Sequence, residues 1–153
     1  AIDCQHRRVD EALKAGGAAV GAKAVIETLP GMFPLACSPR LNDLFVENIK
    51  EYFPETKIED AGHFTASTDM GDISHLMPSI HPFIGGVDGG LHTKDFCVTD
   101  FDAAAILPGK VFAMNIIDLL YDEAAMAKEI LEKEKPILTK EEYLAKLESY
   151  FQS

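Results

Sequence analysis

Apolar residues recur along the chain at two spacings, one typical of helices and one typical of strands. The three-to-four-residue spacing predicts helices over about 3–15, 39–53, 103–121, 122–133 and 140–151. Alternation of apolar and polar residues predicts strands over 22–29, 57–60 and 79–84. Because the strands are separated by helices, the pattern predicts an α/β fold. So few strands would leave the apolar helix at 103–121 short of a packing partner.

Local signals sharpen several of these boundaries. Ser38 followed by Pro39 is typical of a helix N-cap with proline at the first helical position. Thr139 and Glu142 have the spacing of a capping box that opens the last helix. Pro108–Gly109 predicts a kink or break in the apolar helix, since both residues disfavour a helix interior.

Composition narrows the class of protein. The 153 residues carry 25 Asp and Glu against 14 Lys and Arg, a net charge of −11, so nucleic acid is a poor partner. No run of eighteen apolar residues occurs, so we expect no membrane span. The three cysteines, Cys4, Cys37 and Cys97, are widely spaced and odd in number. They predict reduced thiols in a cytoplasmic protein rather than a disulfide framework or a structural zinc site.

Most of the candidate chemistry lies in the middle of the chain. Four of the five histidines fall between positions 63 and 92, interleaved with aspartates, and this is the ligand chemistry of catalytic zinc or manganese. Histidines exposed to solvent or packed in a core are the alternative interpretation, since none of the spacings is that of a known helical metal motif. The histidines are His63, His75, His81 and His92, and the aspartates are Asp69, Asp72, Asp88 and Asp95.

Two short segments in this region have both a functional and a structural interpretation. Ser67, Thr68 and Asp69 could bind an anionic group of a substrate, or Ser67 or Thr68 could cap a short helix near 69–76. Gly89–Gly90 places His92 just after flexible backbone, which permits close approach to a ligand. The same pattern also fits a plain turn with His92 exposed.

The order of these motifs resembles one family. Ser67-Thr68-Asp69-Met70-Gly71-Asp72-Ile73-Ser74, then Pro78-Ser79-Ile80-His81-Pro82, then Leu91-His92-Thr93 and Phe96, is similar to the C-terminal part of the dinuclear metallo-amidohydrolases. These are the aminoacylase and carboxypeptidase-G type enzymes, metallopeptidase family number twenty. The pattern is closest to the subgroup of aminobenzoyl-glutamate hydrolase and related dipeptidases.

The resemblance implies a division of the chain. Residues 1–29 would be the last helix and strand of an α+β lid or dimerisation domain. Residues 30–153 would be the C-terminal portion of an α/β/α catalytic domain with a hydrolase-like fold. The start of the chain at Ala1 rather than Met, with no secretory signal, adds the expectation of a piece of a longer protein.

The resemblance also implies a chemistry. Two divalent metal ions, zinc first and manganese or cobalt as alternatives, would activate a water that attacks an amide carbonyl of an N-acyl amino acid, aminobenzoyl-glutamate or dipeptide. His92 would be a metal ligand, and Ser67, Thr68 and Asp69 would contact substrate. The family's other metal ligands and its Glu-Glu pair have no counterpart here. The chain alone, holding no metal or one bound weakly, is therefore expected to be inactive.

Two further hypotheses remain open. The chain could be a non-enzymatic binding or dimerisation module that retains a remnant of the fold, with a second copy or an N-terminal half of the same protein as its partner. Alternatively, it could be an unrelated small α/β domain in which the motif match is chance.

Overall fold

The computed structural model describes residues 2–60, 62 and 66–151. These residues form five α-helices and one pair of two-residue strands. A π-helical turn over Asp102–Ile106 leads directly into the fourth helix. In chain order the elements are α1 (Ile2–Ala19), α2 (Pro39–Tyr52), α3 (Met70–Leu76), β1 (Val87–Asp88), β2 (Cys97–Val98), α4 (Leu107–Lys133) and α5 (Lys140–Phe151).

The predicted α/β class is wrong, because the structure is mostly helical with 3% strand. Within the described residues β1 and β2 form the single ladder, an antiparallel pair with Val87 opposite Val98. The segments 22–29, 57–60 and 79–84 are neither helix nor strand. A strand exists only when a second segment pairs with it, and alternation along one segment cannot supply that partner. The α/β/α catalytic domain and the final strand of the α+β lid are corrected for the same reason.

Two predicted helix starts are confirmed by their hydrogen bonds. The Ser38 hydroxyl accepts a bond from the Leu41 N–H at 3.1 Å, and Pro39 is the first helical residue of α2. Before α5, the Thr139 N–H donates to Glu142 Oε2 at 2.8 Å, and the Glu142 N–H donates to Thr139 Oγ1 at 3.2 Å. Each cap satisfies backbone donors that a helix cannot satisfy itself.

The break in the apolar helix lies elsewhere than predicted. The helix is continuous through Pro108–Gly109, although the turn that precedes Pro108 is π-helical. The helical geometry is interrupted at Tyr121–Ala124 instead, with φ of 49°, 54° and 60° at residues 122, 123 and 124.

The helical stretch Asp102–Lys133 contains an 18-residue window of mean hydropathy 1.6. By length and composition alone, it is long and apolar enough to cross a membrane. The absence of a membrane span stays a prediction.

The chain divides into two compact units. One contains the described part of residues 1–31 together with that of 144–153, and the other contains residues 32–143. In the first unit, α1 is followed by a segment in which half-buried and exposed residues alternate from Lys23 to Pro30. Assignment of residues 1–29 to a lid and 30–153 to a catalytic domain stays a prediction.

The core of the larger unit lies where α2 packs against α4. Phe45, Ile49 and the fully buried Val111 form its centre, and the rings of Phe45 and Phe112 lie 5.5 Å apart. Beside them, buried Asn48 donates through Nδ2 to Asn115 Oδ1 and to Asp118 Oδ2, both at 2.8 Å. A buried amide left without partners would be costly, so these bonds fix which face of α4 meets α2.

Candidate functional site

The motif block at 67–74 forms α3 and the turn that precedes it. Gly71 lies against the chain near Phe33, so closely that a Cβ on it would sit 1.8 Å from the Phe33 carbonyl oxygen. The Phe33 N–H donates to Asp72 Oδ1 at 2.9 Å, and the Ala36 N–H donates to Ser74 Oγ at 3.0 Å. Gly71, Asp72 and Ser74 therefore hold α3 against residues 33–36.

His75 is part of the same packing. Its Nδ1 lies 2.9 Å from the Gly71 carbonyl oxygen, which can only accept, so Nδ1 carries the hydrogen in this contact. Its ring lies 5.0 Å from the ring of Phe33, which in turn lies 5.8 Å from that of Tyr143. Burial raises the pKa of Tyr143, and the negative charge of Asp72, which shares a hydrogen bond with it, raises it further. His75 therefore has a packing role.

The three residues predicted to contact substrate lie just before α3. Ser67 and Asp69 are exposed and Thr68 is half-buried. The Thr68 hydroxyl lies 3.2 Å from Asp69 Oδ1, and the Thr68 carbonyl accepts a bond from the Gly71 N–H at 2.9 Å. Asp69 is the N-cap residue of α3, but its side chain makes no capping bond. The helix near 69–76 is confirmed, and binding of substrate by this segment stays a prediction.

His92 lies at the tip of the β1–β2 hairpin. Gly89 has φ of 85°, and a Cβ on it would lie 2.4 Å from the Asp95 carbonyl oxygen, so the loop closes tightly on itself. The Gly90 carbonyl accepts from both the Thr93 N–H and the Thr93 hydroxyl. Between these contacts His92 adopts φ of 61° and is exposed to solvent. Positive φ is uncommon for residues other than glycine, although histidine is among the more tolerant.

The described residues form no group of three potential metal ligands, at His92 or elsewhere. Among residues 2–60, 62 and 66–151, no three His, Cys, Asp or Glu side chains lie close enough to hold a metal ion. His63, one of the four clustered histidines, lies outside the described residues. Since a catalytic zinc ion takes about three protein ligands, the described residues do not by themselves make a metal site.

His81 lies away from the hairpin tip. It is half-buried, its ring lies 5.9 Å from that of Phe83, and it lines a cavity of about 470 Å³. The cavity is mostly apolar, with Cys37 and an ion pair between Lys57 and Glu59 on its wall. Cys37 and Cys97 are both free thiols, and the side chain of Cys4 lies outside what the structure describes.

The polar cluster of Asn48, Asn115 and Asp118 was not predicted from the sequence. Its one signal was Asn48, a polar residue on the apolar face of α2.

Comparison of the chain with family models, with curated proteins and with solved structures gives no match. The family resemblance therefore rests on the residue pattern and stays a prediction.

Proposed function

We propose that this chain is a part of a metal-dependent amidohydrolase or peptidase, in which His92 supplies one metal ligand and Ser67, Thr68 and Asp69 contact the substrate. The substrate class is an N-acyl amino acid, aminobenzoyl-glutamate or a dipeptide, each of which presents an amide carbonyl and a carboxylate. The remaining ligands and the general base belong to a segment that these residues do not contain. The proposal does not include the α/β fold that the resemblance implies, because the structure is mostly helical.

The observation that carries the proposal is the presentation of His92. Its imidazole projects to solvent from a loop whose backbone is held by Gly89, Gly90 and Thr93. A non-glycine residue kept at positive φ indicates that the surrounding structure imposes the conformation, and such residues cluster at functional sites. A ligand shared with another segment has to be both exposed and held in place, because a mobile side chain loses entropy on binding.

The segment 67–69 is held by comparable means. Gly71, Asp72 and Ser74 fix α3 to residues 33–36, so the turn that precedes α3 has a fixed base. The hydroxyls of Ser67 and Thr68 and the Asp69 carboxylate offer both donors and acceptors to a polar substrate. These features support a binding role for the segment without defining which amide is cleaved.

The test is reconstitution with a second polypeptide that carries the missing ligands. Hydrolysis of aminobenzoyl-glutamate and of N-acetyl amino acids is measured after mixing with zinc, manganese or cobalt, and bound metal is counted by mass spectrometry under native conditions. We expect two metal ions and turnover only in the mixture. His92→Ala should remove at least one metal ion and the activity, whereas His81→Ala, which changes a histidine that packs beside Phe83, should leave both.

The proposal fails if His92→Ala retains full metal content and activity in the reconstituted mixture. Turnover by the isolated, metal-loaded chain would also contradict it, because one imidazole cannot hold a dinuclear centre. Equal losses from His92→Ala and His81→Ala would indicate a general effect on folding.

A non-enzymatic dimerisation module is the second candidate, and one observation favours it. α4 exposes large apolar side chains, among them Ile116, Ile117 and Leu120. Metal stoichiometry separates the two functions. A chain that folds in one transition without metal, and that gains no metal in the mixture, would be a module.

A further inference from the structure

One face of α4 is apolar along its first four turns. The buried side of the helix, with Val111 and Asn115, faces α2. The other side has no charged residue between positions 111 and 120, and its large side chains are 41% to 63% exposed. We refer to this surface, which includes the end of the π-helical turn, as the α4 apolar face: Ala105, Ile106, Gly109, Phe112, Ala113, Ile116, Ile117 and Leu120.

The α4 apolar face has a ridge and a groove side by side. Phe112, Ile116 and Leu120 are four residues apart and form the ridge, because residues at that spacing line up along a helix. Phe112 stands at the edge of the face, since its ring also packs against that of Phe45 on α2. The row Ala105, Gly109 and Ala113 forms the groove, and a Cβ on Gly109 would meet no atom within 4 Å. A surface that contains both elements is complementary to itself.

A two-fold axis through Ala113 brings the two elements together. In an antiparallel pair of α4 helices, Ile117 of one copy lies opposite Gly109 of the other, and Leu120 lies opposite Ile106. Large side chains then meet small ones or apolar ones. The one charge at the edge of the face, Lys110, lies opposite Ile116, where its long side chain can keep the ammonium group in water. Interfaces between identical copies with this symmetry are the commonest form of oligomer.

The area reaches the lower limit for a dimer, since two copies of the face would bury about 1,000 Å² in total. If a side chain of this size offers roughly 200 Å² when fully exposed, the five large residues together expose about 500 Å². A patch of this area is within the range of the largest apolar patches on monomers, about 300–600 Å², and such patches are often functional. A standard interface buries about 800 Å² per partner, with an apolar centre and a polar rim, so the α4 apolar face can serve as that centre.

A membrane is a less suitable partner for the α4 apolar face than a second copy of the chain. Asn115 is bonded to Asn48, so α4 would enter the bilayer together with α2. The outer side of α2 carries the exposed charges of Asp43, Glu47 and Lys50, each of which is expensive in hydrocarbon.

We propose that the α4 apolar face docks against the same face of a second copy of this chain, as an antiparallel helix pair centred near Ala113. The interface does not depend on the amidohydrolase proposal, since none of its residues belongs to the hairpin tip or to the segment 67–69.

The experiment is sedimentation equilibrium of the full chain from about 1 to 100 µM, a range that covers dissociation constants of moderately tight dimers. The mass should rise from 16.7 kDa toward twice that value. Leu120→Asp should raise the dimer dissociation constant about tenfold or more, since it buries a charge. Leu131→Asp is the matched control, because Leu131 is also an exposed leucine of α4, at 59% against 63% for Leu120, but lies beyond the break.

A second pair of variants tests the groove. Gly109→Leu should fill it and weaken the dimer, while Gly16→Leu, at another helical glycine with open space around it, should not. Circular dichroism verifies that every variant keeps its helices. The inference is overturned if the chain stays monomeric throughout the range, if Leu120→Asp and Leu131→Asp have equal effects, or if the chain is monomeric and floats with phosphatidylcholine–phosphatidylglycerol vesicles.

Discussion

Replacement of Gly71 by alanine tests the packing of α3 most directly. The added Cβ would lie 1.8 Å from the Phe33 carbonyl oxygen and 2.9 Å from its carbonyl carbon. Both are backbone atoms, so no side chain can rotate away to relieve the contact. Residues 33–36 would have to move away from α3.

The cost follows from the hydrogen bonds that the movement breaks. The bond from the Phe33 N–H to the Asp72 carboxylate is worth about 1.5–3 kcal/mol, and that from the Ala36 N–H to Ser74 about 1 kcal/mol. Alanine in place of a helical glycine returns about 1 kcal/mol. We therefore expect Gly71→Ala to lower the free energy of unfolding by about 1.5–3 kcal/mol.

Urea unfolding followed by circular dichroism measures this change, and amide hydrogen exchange at Phe33 and Ala36 should report the lost bonds. Gly16→Ala is the control, because that glycine is also helical, has open space around it and lies outside the α4 apolar face. It should be neutral or stabilising by up to about 1 kcal/mol. A Gly71→Ala protein within about 0.5 kcal/mol of the parent would refute the close packing of α3 on residues 33–36.

Three other results are expected. Asn48→Ala should lower the free energy of unfolding by about 2–3 kcal/mol in urea titration, because it leaves Asn115 and the Asp118 carboxylate without their buried donor; a loss near zero would contradict this. The bond from the Thr139 N–H lowers the pKa of Glu142 in the folded state. The charged carboxylate therefore stabilises the folded state above the ordinary glutamate pKa of about 4.3. This contribution is lost as the pH falls through the lower pKa of the folded state. The pH dependence of helix content, measured by circular dichroism, should therefore be weaker in Glu142→Gln than in the parent, and identical profiles would argue against the cap. The isolated chain, loaded with zinc, should not hydrolyse N-acetyl amino acids, and robust turnover in a ninhydrin assay would contradict the ligand count.

The helix ends could be predicted because their signals are local. Ser38 and Pro39, or Thr139 and Glu142, lie within four residues of the bonds that they make. The strands could not be predicted in the same way. At 22–29 the alternation of apolar and polar residues corresponds to alternating burial in the structure. No second segment in the described residues pairs with it. The break at Tyr121–Ala124 contains neither glycine nor proline, so local sequence offered no signal for it.

The candidate site likewise has some features with local sequence signals and others that depend on distant contacts. Gly89–Gly90 correctly indicated a turn, and His92 is exposed there, as the plain-turn interpretation expected. The positive φ of His92 depends on contacts across the hairpin, such as that of Gly89 with Asp95, which the sequence does not reveal. The packing of Gly71 against Phe33 joins residues 38 positions apart and was equally hidden.

The contacts of α3 set an order for the synthesis of this protein. A helix of seven residues is too short to persist alone, because nucleation costs more than so few bonds return. On one side α3 bonds to residues 33–36, which leave the ribosome before it. On the other, the His75 carbonyl accepts a bond from the Leu138 N–H at 3.0 Å. The middle of the chain therefore cannot reach its final structure until the chain has been synthesised as far as Leu138.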